Sequence, residues 1–198
     1  MKKFQCFFAA MLLMVVSVLS GCGGSSKEEV PEGIVRVAFI SAYVSDDEAK
    51  SYAATMAERS EEVNAVEYQT LSIGGESDPM MYSTAIMKIA ALVTSNEVDV
   101  FIYDKNEAAR DARSDMFYPM DEIFTSEELA LMEGKLLSYP MVDDEGVETG
   151  EMTVQCGLDV SGDEALAKVL NTDEIGIFVV GNAQNIESVK ALVLSYVK

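Results

Sequence analysis

What most narrows the folds open to this chain is a repeated switch of period, from short β-branched runs to stretches with helical spacing. Ile34-Val-Arg-Val-Ala-Phe-Ile40 has the unbroken apolar pattern of a strand buried on both faces. Ser45-Asp46-Asp47-Glu48 then reads as a capping box, opening a helix with Ala49, Tyr52, Ala53, Met56, Ala57 and Val63 on one face. Residues 66–73 form a second strand pattern, more polar and so nearer an edge. Gly74-Gly75 turns the chain, and Asp78-Pro79 sets an N-cap and first helical residue for a helix to about residue 95. That helix is apolar nearly all round, which predicts burial on more than one side. Val98-Asp-Val-Phe-Ile-Tyr103 is a third strand, followed by a short helix over residues 106–114. Strands joined through helices imply right-handed crossovers and parallel pairing.

After residue 115 the pattern changes. Thr125-Ser-Glu-Glu128 and Ser161-Gly-Asp-Glu164 read as two further capping boxes. Residues 135–142 and 151–159 read as strands flanking a turn, Asp143-Asp-Glu-Gly146. Residues 175–180 form another strand, and Asn185 caps a last helix with Ile186, Val189, Leu192, Val193 and Tyr196 inward. The expectation is an α/β fold: a three-layer sandwich with a mixed, mostly parallel sheet of about five strands and helices on both faces.

The N-terminal region carries a different signal. Lys2 and Lys3 precede an apolar stretch, residues 4–19, broken only by Gln5 and Ser17. This is the layout of a secretory signal, and it is short of the roughly 20 apolar residues of a membrane span. Leu19-Ser20-Gly21-Cys22 follows at once and resembles the lipobox of bacterial lipoproteins. The resemblance implies diacylglycerol on the Cys22 thiol, cleavage before Cys22, often acylation of the new amine, and a place on the extracytoplasmic face of the cell membrane. The expected organisation is a signal peptide at 1–21, a lipidated flexible tether at 22–33 and one α/β domain at 34–198. The polar, Gly- and Ser-containing tether would span about 17–20 Å as a coil.

Charge and composition then remove classes of function. Without the signal, 12 basic side chains face 34 acidic ones, a net charge of −22. Such a chain does not bind nucleic acid by neutralising phosphates. It is repelled by anionic lipid, so acyl chains rather than a basic patch must hold it at the membrane. There is no His and no Trp, which removes imidazole catalysis, His-ligated metal sites and indole stacking. Cys6 leaves with the signal and Cys22 is lipidated, so Cys156 stays unpaired and reads as a buried, inert thiol. Gly74-Gly75 is no Walker loop, because no Gly-Lys-Ser/Thr follows. No Gly-x-Ser-x-Gly motif, Cys–His pair or zinc signature is present. Neither an enzyme nor a cofactor is expected.

The order of several segments resembles one lobe of the extracellular solute-binding proteins of ABC importers, the type 2 periplasmic binding proteins. The segments are Val98-Asp-Val-Phe-Ile-Tyr-Asp104, Ala108-Ala-Arg110 and Met116-Phe-Tyr-Pro-Met-Asp121-Glu-Ile, then Leu158-Asp-Val-Ser161 and Ile177-Phe-Val-Val-Gly-Asn182 with Asn185. The family clamps its ligand between two lobes. Only about 37 residues lie between Asp121 and Asp159, too few for a second lobe. What the resemblance implies is a lipid-anchored single lobe that binds or senses a small solute, with a membrane protein as partner. The alternative is a protein-interaction module at the cell surface that has lost solute binding.

Ligands of open α/β sheets sit beyond the carboxyl ends of the strands. Those ends place Ser41, Ala42 and Tyr43, then Gly74, Gly75 and Asp78, then Tyr103, Asp104 and Lys105. The candidate ligand cleft is Tyr43, Gly74, Gly75, Asp78, Tyr103 and Asp104, with the two tyrosines able to stack on a solute. The competing reading makes these ordinary loops and caps, Asp78 above all. Asp143-Asp144-Glu145-Gly146 lacks the spacing of a calcium loop and fits a solvated turn better. Met80, Met81 and Met87 read as core packing, with a partner face or soft-metal site as the alternative.

Overall fold

A computed structural model describes residues 30–74 and 78–197. The signal peptide, Cys22, most of the tether and Gly75 lie outside the described residues. β1 (Ile34–Ser41), α1 (Asp46–Ala57), β2 (Ala65–Ser72), α2 (Pro79–Thr94), β3 (Val100–Asp104) and α3 (Lys105–Ala112) alternate as the sequence pattern requires. There follow α4 (Met120–Ile123), α5 (Ser126–Leu131), β4 (Leu136–Leu137), β5 (Pro140–Val142), β6 (Glu148–Met152) and β7 (Gly157–Asp159). α6 (Glu164–Leu170), β8 (Ile175–Val179) and α7 (Ile186–Leu194) complete the described chain.

Six strands form one mixed sheet in the order β2-β1-β3-β8-β7-β4. β2, β1 and β3 pair in parallel, and the β3–β8, β8–β7 and β7–β4 pairs are antiparallel. β7 therefore runs in the same direction as β1, β2 and β3, and its carboxyl end lies level with theirs: Asp159 pairs with Gly176 beside the Asp104–Ile175 pair. Alternate side chains build two cores. Val35, Val37, Phe39, Val100, Ile102, Ile175 and Ile177 face α1, α6, α7 and the α4–α5 region. Ala38, Ile40, Phe101, Tyr103, Phe178 and Val180 face α2 and α3. The result is the expected three-layer α/β sandwich, with six strands and a separate β5–β6 hairpin.

Gly157 on β7 and Gly176 on β8 lie diagonally across the pair, and the Phe178 ring is packed against both. A Cβ on Gly176 would sit 2.6 Å from the Phe178 ring and 2.9 Å from Leu137. Overpacking of this kind costs about 1–3 kcal/mol. Gly176→Ala should accordingly lower the thermal midpoint by several degrees, measurable by differential scanning calorimetry. An unchanged midpoint would show that the ring moves aside freely.

Several local expectations need correction. Ser45 stands at the N-cap of α1, but its side chain makes no capping bond; the Thr70 hydroxyl instead donates to Asp46. Asp163, not Ser161, caps α6, its carboxylate accepting from the amides of Ala165 and Leu166 at 3.0 and 3.1 Å. Val63 is buried but lies beyond the end of α1. α2 buries only one stripe, Ala85, Ile89 and Leu92, while Met80 and Met87 are 81% and 66% exposed. An all-round apolar composition hid that stripe, because alanine and methionine tolerate water at modest cost. The Thr125 capping box forms as expected. Asn185 occupies the N-cap position of α7 without capping it; its amide donates to the carbonyls of Pro31 and Ile34. With Asn64 donating to Glu32 O, this ties residues 31–33 of the expected tether to the domain. Cys156 is buried just before β7, and burial pushes its thiol up to about 11.

Candidate functional site

The carboxyl ends of β1, β2 and β3 carry mostly structural side chains. Tyr103 is fully buried, its ring edge-on to Phe101 and Phe178 and its hydroxyl donating to Asp111 at 3.1 Å. It cannot stack on a ligand, and this corrects the sequence expectation. Strand alternation is the cause: Tyr103 follows Phe101 onto the α2–α3 face. Asp104 caps α3 by accepting from the Asn106 amide at 2.9 Å, and Asp78 caps α2 by accepting from Met81 at 3.0 Å. Gly74 has φ +74, a left-handed turn conformation, with the Met81 side chain against it. Of the described candidates only Tyr43, 61% exposed, presents a free side chain.

The same edge of the sheet does hold a groove, one strand position beyond β8. It lies past the carboxyl end of β7, encloses about 840 Å³, and is lined by Arg59, Lys135, Asp159, Ser161, Asp163 and Tyr196, among others. Two polar clusters frame it. In the first, Lys105 Nζ reaches Asp159 at 2.9 Å, Glu174 at 2.7 Å and the Ser161 hydroxyl oxygen at 3.0 Å. Asp159 also accepts from the Ser161 amide at 2.9 Å. Burial alone would raise Asp159, but the bonds from Ser161 and Lys105 outweigh it and hold the carboxyl below its usual range.

The second cluster joins three helices of one layer, α1, α6 and α7. Tyr52 donates to Asp163 at 2.7 Å and accepts from Arg59 Nη2 at 2.9 Å. Its one proton being on Asp163, the 3.1 Å contact with Tyr196 is donated by Tyr196. Arg59 also meets Asp163 at 3.3 Å and stacks its guanidinium over the Tyr196 ring at 4.4 Å. Burial pushes the Tyr196 hydroxyl up to about 12. Burial would also raise Asp163, but Tyr52, the α6 amides and Arg59 together lower it.

These pairings decide what the groove can do. A serine beside a lysine is a catalytic arrangement when the amine is neutral and can take the hydroxyl proton. Lys105 is partly desolvated, but the bonds from Glu174 and Asp159 prevail and raise its pKa. The ammonium therefore donates to Ser161 and does not act as its base. Arg59, Lys105, Asp159 and Asp163 are all committed to one another, which makes the frame rigid. The exposed Lys135 and Glu164 on the rim make no ion pair among the described residues.

The strand-end rule reaches Lys105 but not the other residues of these clusters. Helical spacing makes Tyr52 and Tyr196 inward core residues, and the Ser161 capping pattern makes Asp163 an interior position. A usable signal was the alternation Asp159-x-Ser161-x-Asp163 just after a strand, three short polar side chains where a single cap would suffice. Among the described residues no helix is long and apolar enough to cross a membrane, and no group of three or more metal-binding side chains is found. Compared with known proteins, the chain matches no family model, no curated protein and no solved structure.

Proposed function

We propose that the chain is a lipid-anchored extracytoplasmic binding module, which takes a small polar solute in the groove beyond β7 and works with a membrane protein as partner. The observation that carries the reading is the groove, with its frame of paired charges and the uncommitted Lys135 and Glu164 on its rim. A rigid, pre-paired wall lowers the ordering cost of binding. The lipid anchor rests on Leu19-Ser20-Gly21-Cys22 behind an apolar leader, and the lobe resemblance on the segment order given above. One lobe leaves its ligand open to solvent on one side, which a partner at the membrane would close.

A thermal-shift screen against sugars, amino acids, short peptides and metal ions tests the binding reading. A solute present at a hundred times its Kd adds about 2.7 kcal/mol, a rise of about 5–10 °C for a domain of this size. Lys135→Met should abolish the rise for a ligand held at the rim. No response across the panel would overturn solute binding and favour the second reading, a protein-interaction module. That reading has its own support in the exposed Met80 and Met87 on the outer face of α2. Mass spectrometry of the native N-terminus tests the anchor, and an unmodified Cys22 would refute it.

A further inference from the structure

We infer that β2 is a homodimerisation edge: two copies of the chain pair antiparallel through Ala65–Ser72, about a two-fold axis at Gln69. β2 is an end strand of the main sheet and pairs, among the described residues, only with β1. Its eight residues keep one register from Ala65 to Ser72 with no bulge. The amides of Ala65 and Ile73 point toward β1, bonding Gly33 O and Ser41 O. By alternation the amides and carbonyls of Val66, Tyr68, Thr70 and Ser72 point outward. Exposed strand edges are normally guarded by lysine, proline or a bulge. β2 has none of these, and Glu67 is its single charge, in a chain of net charge −20.

The pattern is complementary to itself. With the axis at Gln69, Val66 pairs with Ser72 of the second copy and Tyr68 with Thr70. All four outward residues of each copy then exchange hydrogen bonds. Shifting the axis to Tyr68 or Thr70 strands at least one of them. In the favoured register Glu67 faces Leu71 of the second copy and not the other Glu67, so like charges do not meet. Tyr68, already edge-on to Phe39, lies beside a β-branched threonine, a favourable cross-strand pair. The outward residues carry no charge of their own, but the Asp46 carboxylate reaches Thr70 from α1, so the approach of two acidic copies at this edge is helped by salt.

The register makes the test specific. Gln69→Cys puts two thiols opposite each other at a non-hydrogen-bonded site, where Cα atoms lie about 4.5 Å apart, within disulfide range. Glu67→Cys puts its two thiols four residues apart, about 13 Å along the strands. Both variants are made in the full chain, kept in its native membrane, mildly oxidised and run on non-reducing gels beside the unsubstituted protein. The expected result is a reductant-sensitive dimer for Gln69→Cys, at least tenfold more abundant than for Glu67→Cys or the parent. Thr70→Pro, which removes one outward amide and leaves the bonds to β1 intact, should abolish that dimer. In sedimentation of the detergent-solubilised full chain, the dimer fraction should rise with salt, as screening weakens the repulsion. A monomer in both assays, equal cross-linking at 67 and 69, or cross-linking of Gln69→Cys to a different protein would each overturn the proposal. A basic partner strand would in addition be released by salt, the opposite dependence.

Discussion

Replacing Asp99 with alanine should destabilise the domain by about 3–5 kcal/mol, the range for breaking a buried ion pair from one side. Asp99 is fully buried at the turn into β3. One carboxylate oxygen accepts from the backbone amide and Nε of Arg36, both at 2.9 Å; the other accepts from Arg36 Nη2 at 2.7 Å and the Gln184 amide at 2.8 Å. Its backbone bonds Arg36 O and Val180 N. One side chain thus fastens β1, the entry to β3 and the segment after β8. Without it, the Arg36 guanidinium, on a side chain only 13% exposed, keeps only the Asn96 carbonyl, and the Gln184 amide loses its acceptor in low dielectric. With a urea slope of about 2 kcal/mol/M, the midpoint should fall by about 1.5–2.5 M. Adding Arg36→Met should recover much of that loss, because an apolar replacement carries no stranded charge. A drop below about 0.5 M would mean that water reaches Arg36 and screens it.

The layers of the fold were legible because burial on both faces leaves a strong mark. Residues 34–40, 98–103 and 175–180 are so rich in β-branched residues that any helix would waste their shape, and all became interior strands. The misreadings have local causes. A Ser-x-x-Glu pattern proposes a cap but does not choose between Ser161 and Asp163; packing chose Asp163, because Tyr52 and Arg59 approach it from α1 and the segment after it. At α2 the sequence shows that a helix forms but not how many neighbours it has; α3, the sheet and the buried Phe117 and Cys156 share its core. The site was the least legible feature. The strand-end rule looks along the carboxyl edge of the sheet, where the groove also lies, but β7 is only three residues long and pairs antiparallel with β8. Its direction depends on a pairing that joins residues far apart in sequence, which no local pattern records. Tyr103 shows the complementary error: a residue near a strand end points to ligand or to core according to a one-residue alternation.

Asp163→Ala should cost about 2–4 kcal/mol, and Asp163→Asn less at neutral pH, because it retains the cap. The alanine variant loses the cap of α6, about 1 kcal/mol. It also leaves the Tyr52 hydroxyl, on a side chain only 5% exposed, without its acceptor, about 1–3 kcal/mol. The Arg59 pair adds little, since both partners are partly exposed. Asparagine keeps an oxygen at the capping position of Oδ1 but puts an NH2 where Oδ2 accepts from Tyr52; like the protonated acid it has one acceptor and one donor, so it stands in for the uncharged form. The folded pKa of Asp163 lies below its ordinary value. The charge therefore contributes stability above the unfolded pKa of about 3.9, and that contribution disappears as pH falls through the lower folded value. Urea titrations of the parent and Asp163→Asn should show a gap that is constant from pH 7 to about 5 and closes toward pH 2. A gap that persists unchanged to pH 2 would mean that geometry alone, and not the carboxylate charge, holds Tyr52, Arg59 and Tyr196 along the wall of the groove.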